Sequence, residues 1–216
     1  MPDAPFRSSD RGQQMTLAAV SLLEEHGPEA VTARKVTAKV DMSSIAIYTE
    51  FGSMAGLVAS VVDHGFTLLL QRLKKQSLSE DALADLWGAT CKAREFALAH
   101  PHLYAVMFAT RNIGGHERTG AELQQGTETL RGFHRMSRHA VETGQLAARP
   151  GHVTRQLWTV IHGHLMLELA GYLTLEADRQ GAFADIIATT LTGLGADPDA
   201  ARAAVGLPQP RLPATA

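Results

Sequence analysis

Proline placement limits what this chain can fold into more than any other feature. The nine prolines stand at positions 2, 5, 28, 101, 150, 198, 208, 210 and 213, leaving proline-free spans of 29–100, 102–149 and 151–197. A proline inside a helix removes a hydrogen bond and clashes with the preceding turn, so these spans are open to long helices. Composition points the same way. Alanine and leucine supply 59 residues against 18 valines and isoleucines, and the first pair loses least on forming a helix. At 216 residues, 45% apolar and 19% charged, the chain can bury a core without disulfide or metal staples. The expectation is an all-α protein.

Apolar spacing places the helices. Met15, Ala18, Ala19, Leu22 and Leu23 form a stripe over 10–26 that Gly27-Pro28 ends. Thr32 caps a short helix to about 40, Ser43 another to 51, and Ser53 a longer one to about 76. Beyond it, helices are expected over 79–100, from Pro101 through HLYAVMFAT, over 117–143, over 152–177 and over 182–194, with a loop at 111–116. The tail from 196 is expected to be mobile beyond a helical turn at 199–205. No run approaches the 18 consecutive apolar residues of a membrane span, and the first dozen residues lack a signal-peptide stretch, so a cytoplasmic protein with no membrane partner is expected. Cys91 has no second cysteine to pair with and reads as a small core side chain.

One segment has a docking geometry. Residues 32–51 make two short helices separated by Asp41-Met42, the spacing of a helix-turn-helix, whose second helix enters a DNA major groove. Ile47 and Phe51, at i and i+4, share a face that would pack on Val36 and Leu22. That leaves Ser44, Ile45, Tyr48 and Thr49 outward.

These residues resemble a known family. The stretch from Thr16 to Leu57 is similar to the N-terminal domain of TetR-type transcriptional regulators, anchored on Gly27, Ala30, Thr32, Val36, Ala38, Val40, Ser43, Ile47, Tyr48, Phe51, Ser53 and Leu57. A second resemblance, through Trp158, His162 and Gly163, is to the ligand-domain class with a Trp-x-x-x-His-Gly signature. The resemblance implies a three-helix DNA-binding domain at 1–52, a connecting helix at 53–76 and an effector-binding and dimerising bundle at 77–195. The chain departs from the family pattern at Asp41, where a turn glycine is usual, at Glu50 in place of an aromatic, and at Met54 in place of a phosphate-binding lysine.

Charge then narrows the chemistry. No Lys or Arg occurs between Lys39 and Arg72, so the recognition helix cannot bind phosphates as an array of point charges. The expected DNA-binding set is Arg34, Lys35 and Lys39, the hydroxyls of Ser43, Ser44, Tyr48, Thr49 and Ser53, and Ile45 for a thymine methyl, with Arg7 and Arg11 on the N-terminal arm. In the second domain the aromatic, Met and His content suggests a pocket for a small organic effector lined by Trp87, Cys91, Tyr104, Met107, Phe108, His134, Trp158, His162 and Met166. The ridge Leu157, Ile161, Leu165 and Leu169, with Phe183, Ile187 and Leu191, is assigned to a homodimer interface.

No phosphate loop, nucleophile elbow or HExxH motif occurs, so neither an enzyme nor a cofactor is expected. His164 and Glu168 supply only two ligands at i and i+4, which makes a polar pair rather than a metal site. The reading is a ligand-responsive regulator, a repressor released from a pseudo-palindromic operator by an unidentified small molecule. The alternative is a helical homodimer that binds a small molecule or protein partner and has lost operator binding, which the acidic, lysine-free stretch 40–71 favours.

Overall fold

The computed structural model describes residues 10–108, 120–173 and 179–208, and the described residues form helices and turns without a strand. The helices are α1 (Asp10–His26), α2 (Ala33–Lys39), α3 (Ile45–Phe51), α4 (Met54–Lys74), α5 (Ala82–Ala99), α6 (Pro101–Met107), α7 (Gly120–Glu142), α8 (Pro150–Leu169), α9 (Arg179–Gly193) and α10 (Pro198–Ala204), with one 3-10 turn at Pro28–Ala30. The all-α expectation holds. The loop expected at 111–116 and the last residues of the tail, 209–216, lie outside the described residues.

The chain packs as two units, residues 1–69 with 99–127 and residues 70–98 with 128–216. It passes from the first to the second within α4. In the first unit α1 carries α2, α3 and α6 on its flanks. Met15, Ala19 and Leu23 of α1, Val36 of α2, Ile47 of α3 and Leu57 and Leu69 of α4 are fully buried. Thr16 bridges to Ser60 of α4 at 2.8 Å, and Glu24 accepts the Leu103 N–H that opens α6 at 3.1 Å. By length and composition alone α4 is apolar enough to cross a membrane, yet it spends Leu57, Val58, Val61, Val62, Phe66, Leu69 and Leu73 on the buried side.

In the second unit α8 packs on α9, and α9 on α10. Helix α8 is shorter than the expected 152–177. It stops at Leu169 because Gly171 takes φ 79°, where its N–H and that of Tyr172 close back on the carbonyls of Glu168 and Leu167. A glycine in that conformation ends a helix at little cost. The turn expected at 199–205 is helix α10, capped by the Asp197 carboxylate on the Asp199 and Ala200 amides and seated through buried Ala201 and Val205.

Candidate nucleic-acid interface

Helix α3 owes its position to the turns at both of its ends. Before it, Asp41 adopts φ 54°, the left-handed conformation for which the family pattern supplies glycine. An aspartate tolerates this region better than most residues do. The first turn of α3 starts from the Ser43 carbonyl, which accepts the Ala46 N–H at 2.9 Å, and Ser44, not Ser43, is the capping position. Its side chain caps nothing. Thr32 and Ser53 do cap α2 and α4, through the Lys35 and Gly56 amides. After α3, Gly52 takes φ 72°, and a Cβ on Gly56 would sit 2.1 Å from the Phe51 carbonyl oxygen. The α3–α4 turn therefore needs glycine at both positions.

The resulting face is as the spacing predicts. Ile47 and Phe51 point inward, with Val36 and Leu22 also buried. Ile45 is 72% exposed and Tyr48 is 56% exposed, while Ser43, Ser44, Thr49 and Ser53 are exposed beside them. The Thr49 hydroxyl donates to the Ile45 carbonyl at 3.1 Å. Arg34 and Lys35 are exposed on α2.

Lys39 differs from them. Its ammonium lies 3.3 and 3.5 Å from the two carboxylate oxygens of Glu25 on α1. A hydrogen bond from Ser21, then the bond and charge of Lys39, hold the Glu25 carboxyl below its ordinary pKa. The pair joins residues 14 apart, a separation at which spacing carries no signal. A phosphate must compete with Glu25 for Lys39.

The nine expected pocket residues fall in two settings. Tyr104, Met107 and Phe108 belong to the first unit. There Tyr104 and Met107 have no exposed surface, and the Phe108 ring lies 4.7 Å from Tyr104 and 5.6 Å from Phe66. Burial pushes the Tyr104 phenol up in pKa, so it stays protonated. Trp87, Cys91, His134, Trp158, His162 and Met166 belong to the second unit, where all but the exposed His134 are half-buried. Trp158 stacks on His162 at 6.2 Å and meets Phe133 at 5.6 Å. Trp87 meets Phe183 at 5.6 Å, and His134 Nδ1 reaches the Thr154 hydroxyl at 3.3 Å. Burial, with Glu95 adding to it, pushes the Cys91 thiol up to about 11, which keeps it a poor nucleophile at neutral pH.

Sequence reading missed the partner of Glu168. Arg94 of α5 grips that carboxylate through Nε at 2.9 Å and through Nη2, and its guanidinium lies 5.5 Å from the Phe183 ring centre. The Glu168 side chain is 4% exposed, and His164 Nε2 stands 3.8 Å from it. Among the described residues no three His, Cys, Asp or Glu side chains gather as a metal site.

The dimer ridge needs correction. Leu157, Ile161, Leu165, Ile187 and Leu191 have no exposed surface in the single chain, and Phe183 has 1%. Only Leu169 is half-buried. The stripe assigned to a partner is this chain's own core. The outward apolar side chains on these helices are Leu167 at 48% and Ile186 at 40%.

Comparison with known proteins gives two family matches. Residues 16–61 match the bacterial regulatory proteins of the tetR family, and residues 87–191 match the tetracyclin repressor-like C-terminal domain. No curated protein matches the chain. Among solved structures, a protein of unknown function from Rhodococcus sp. RHA1 superposes with a TM-score of 0.72 at 20% identity, over 89% of this chain and 99% of that one. A bacterial regulatory protein in the tetR family from Rhodococcus RHA1 gives 0.64 at 16% identity, over 88% and 99%. RolR in complex with resorcinol gives 0.67 at 17% identity, over 93% and 95%. At these identities the likeness is one of fold.

Proposed function

We propose that this chain, which belongs to the TetR family of bacterial regulatory proteins, is a cytoplasmic repressor that binds a pseudo-palindromic operator as a homodimer and is released by a small organic effector. One observation carries the reading: α3 seals its inner face with Ile47 and Phe51 and leaves Ile45 and Tyr48 in water, while Arg34 and Lys35 of α2 are exposed. A short helix gains nothing in stability from an outward isoleucine and tyrosine, which suit a groove of base edges. Two recognition helices about 34–36 Å apart meet successive major grooves of one duplex.

The partner copy would sit on the outer faces of α8 and α9. Leu167 and Ile186 are its apolar anchors, with Gly163 and Gly193 exposed on the same helices to allow close approach. The effector would lie in the second unit beside Trp87, Trp158, His162 and Met166, and the resorcinol bound by RolR is of the size and aromaticity such side chains suit. A ligand weakens operator binding only by its differential affinity for two conformations, usually about 1–3 kcal/mol of coupling. Helix α4, within which the chain passes from one unit to the other, is the covalent route for that coupling.

Selection of duplexes from a random pool by the purified protein tests the reading. It should enrich an inverted repeat whose half-sites are one helical turn apart. Light scattering should report a dimer that Leu167→Glu with Ile186→Glu converts to monomers. A pool without enrichment would overturn operator binding and leave the small-molecule or protein-binding dimer as the surviving reading.

A further inference from the structure

The outward face of α3 offers an unusual set of chemical groups. Ile45 is the most exposed leucine or isoleucine among the described residues, at 72%. Thr49 spends its hydroxyl proton on the Ile45 carbonyl at 3.1 Å, so Oγ1 faces solvent only as an acceptor. Ser44 and Tyr48 are exposed hydroxyls. Between Lys39 and Gln71 there is no Lys, Arg, Asn or Gln.

Those four residue types make the bidentate contacts of the major groove, Arg or Lys to guanine O6 and N7, Asn or Gln to adenine N6 and N7. Helix α3 can make neither. What it can do is cover a thymine C5-methyl with Ile45 and accept, through Thr49, from the amino group of an adenine or cytosine. Resting on the reading that α3 enters a major groove, we infer that this regulator reads its half-site by thymine methyl contact, with Ile45 as the specificity-determining residue and no bidentate guanine contact from α3, where Ser44 and Tyr48 can donate single hydrogen bonds only. A bidentate guanine contact comes from α2, by exposed Arg34 or Lys35. The preferred duplex is then thymine-bearing beneath α3, with at most a single hydroxyl bond to any guanine N7 there.

Two atomic substitutions in the DNA test this on the full-length protein with the duplex selected above. Deoxyuridine for thymine removes only the C5-methyl, and 7-deazaguanine for guanine removes only the N7 acceptor. Each is introduced one position at a time, symmetrically in both half-sites, and affinity is measured for wild type, Ile45→Ala and Arg34→Ala with Lys35→Ala. Loss of one buried methyl is worth about fourfold in affinity per half-site. The expected result is a thymine at which deoxyuridine in both half-sites weakens wild type by about sixteenfold and leaves Ile45→Ala unaffected, while the larger part of any 7-deazaguanine effect disappears in the Arg34→Ala, Lys35→Ala variant. The inference is overturned if no thymine is coupled to Ile45, or if a guanine effect of undiminished size persists in that variant. A protein that retains no duplex overturns the DNA reading itself, and this inference with it. Because Ile45 is exposed, Ile45→Ala should melt with wild type, so lost affinity is not lost fold.

Discussion

Helix α3 in the first unit and helix α8 in the second both carry apolar stripes at helical spacing, and they dispose of them oppositely. In α3 the stripe divides, with Ile47 buried and Ile45 and Tyr48 in water. In α8, Leu157, Ile161 and Leu165 are entirely inside, and the outermost leucine is Leu167. A helix of seven residues has one inner face, which two side chains fill, so any further apolar residue must face out. A helix of 20 residues that is apolar on several sides leaves open which side meets its own chain and which meets a partner.

The largest expected effect sharpens this contrast. An aspartate at Leu165 buries a carboxylate without a partner, at a cost comparable to the whole stability of a domain, roughly 5–15 kcal/mol. Leu165→Asp should therefore fail to fold. Ile45→Asp should fold with an unchanged melting temperature and lose operator binding, because the new charge meets only water or DNA. Circular dichroism melts of both variants check it, and a folded Leu165→Asp would break the assignment of this ridge to the core.

The two ion pairs extend the comparison. Arg94→Ala strands the buried Glu168 carboxylate, and removing one member of a buried pair costs roughly 3–5 kcal/mol. Lys39→Ala leaves Glu25 in water, so denaturant melts should show no measurable loss. Similar losses in the two variants would mean that burial does not separate these pairs.

How far the sequence could be read follows from the same contrast. The stripe of α1, the cap at Thr32 and the inner face of α3 were legible because local spacing decides them and one short helix admits one solution. The end of α8 was misplaced because apolar residues continue past Gly171, and only the backbone conformation there stops the helix. The ridge was misassigned because spacing alone cannot say which side of a helix apolar on several sides meets its own chain. Arg94 was invisible as a partner of Glu168 because 74 residues separate them.

A smaller effect concerns charge at the interface. With Lys39 held by Glu25, the cations expected to reach phosphate are Arg11 of α1, Arg34 and Lys35, together with Arg7, which lies outside the described residues. At about −0.9 per neutralised phosphate, a dimer should show a log K against log salt slope no steeper than about −7. Glu25→Gln frees Lys39 and should bring the slope toward about −9. A steeper wild-type slope would recruit Arg72, Lys74 or Lys75 and move the interface beyond α3.

The smallest effect is one of pH, and each unit contributes. Burial lowers the pKa of His164, with Glu168 opposing and Arg94 adding, and burial lowers that of His64, with Asp63 opposing and His100 adding. A histidine whose folded value lies below its unfolded one takes up its proton first in the unfolded chain. Stability is therefore level above about pH 6.5 and falls as pH drops from there to the folded values. His164→Gln and His64→Gln should each flatten the decline in melting temperature below pH 6.5. A decline of the same slope in both variants would place its origin elsewhere.

Operator binding as proposed requires that the outward face of α3 read the duplex. Tyr48→Ala tests it most directly, because Tyr48 is 56% exposed and its removal leaves the core of Ile47 and Phe51 intact. On the selected duplex, measured by fluorescence anisotropy beside a melting curve, Tyr48→Ala should lose at least tenfold in affinity with unchanged melting. Wild-type affinity in a variant that melts normally would contradict it and remove α3 from the interface.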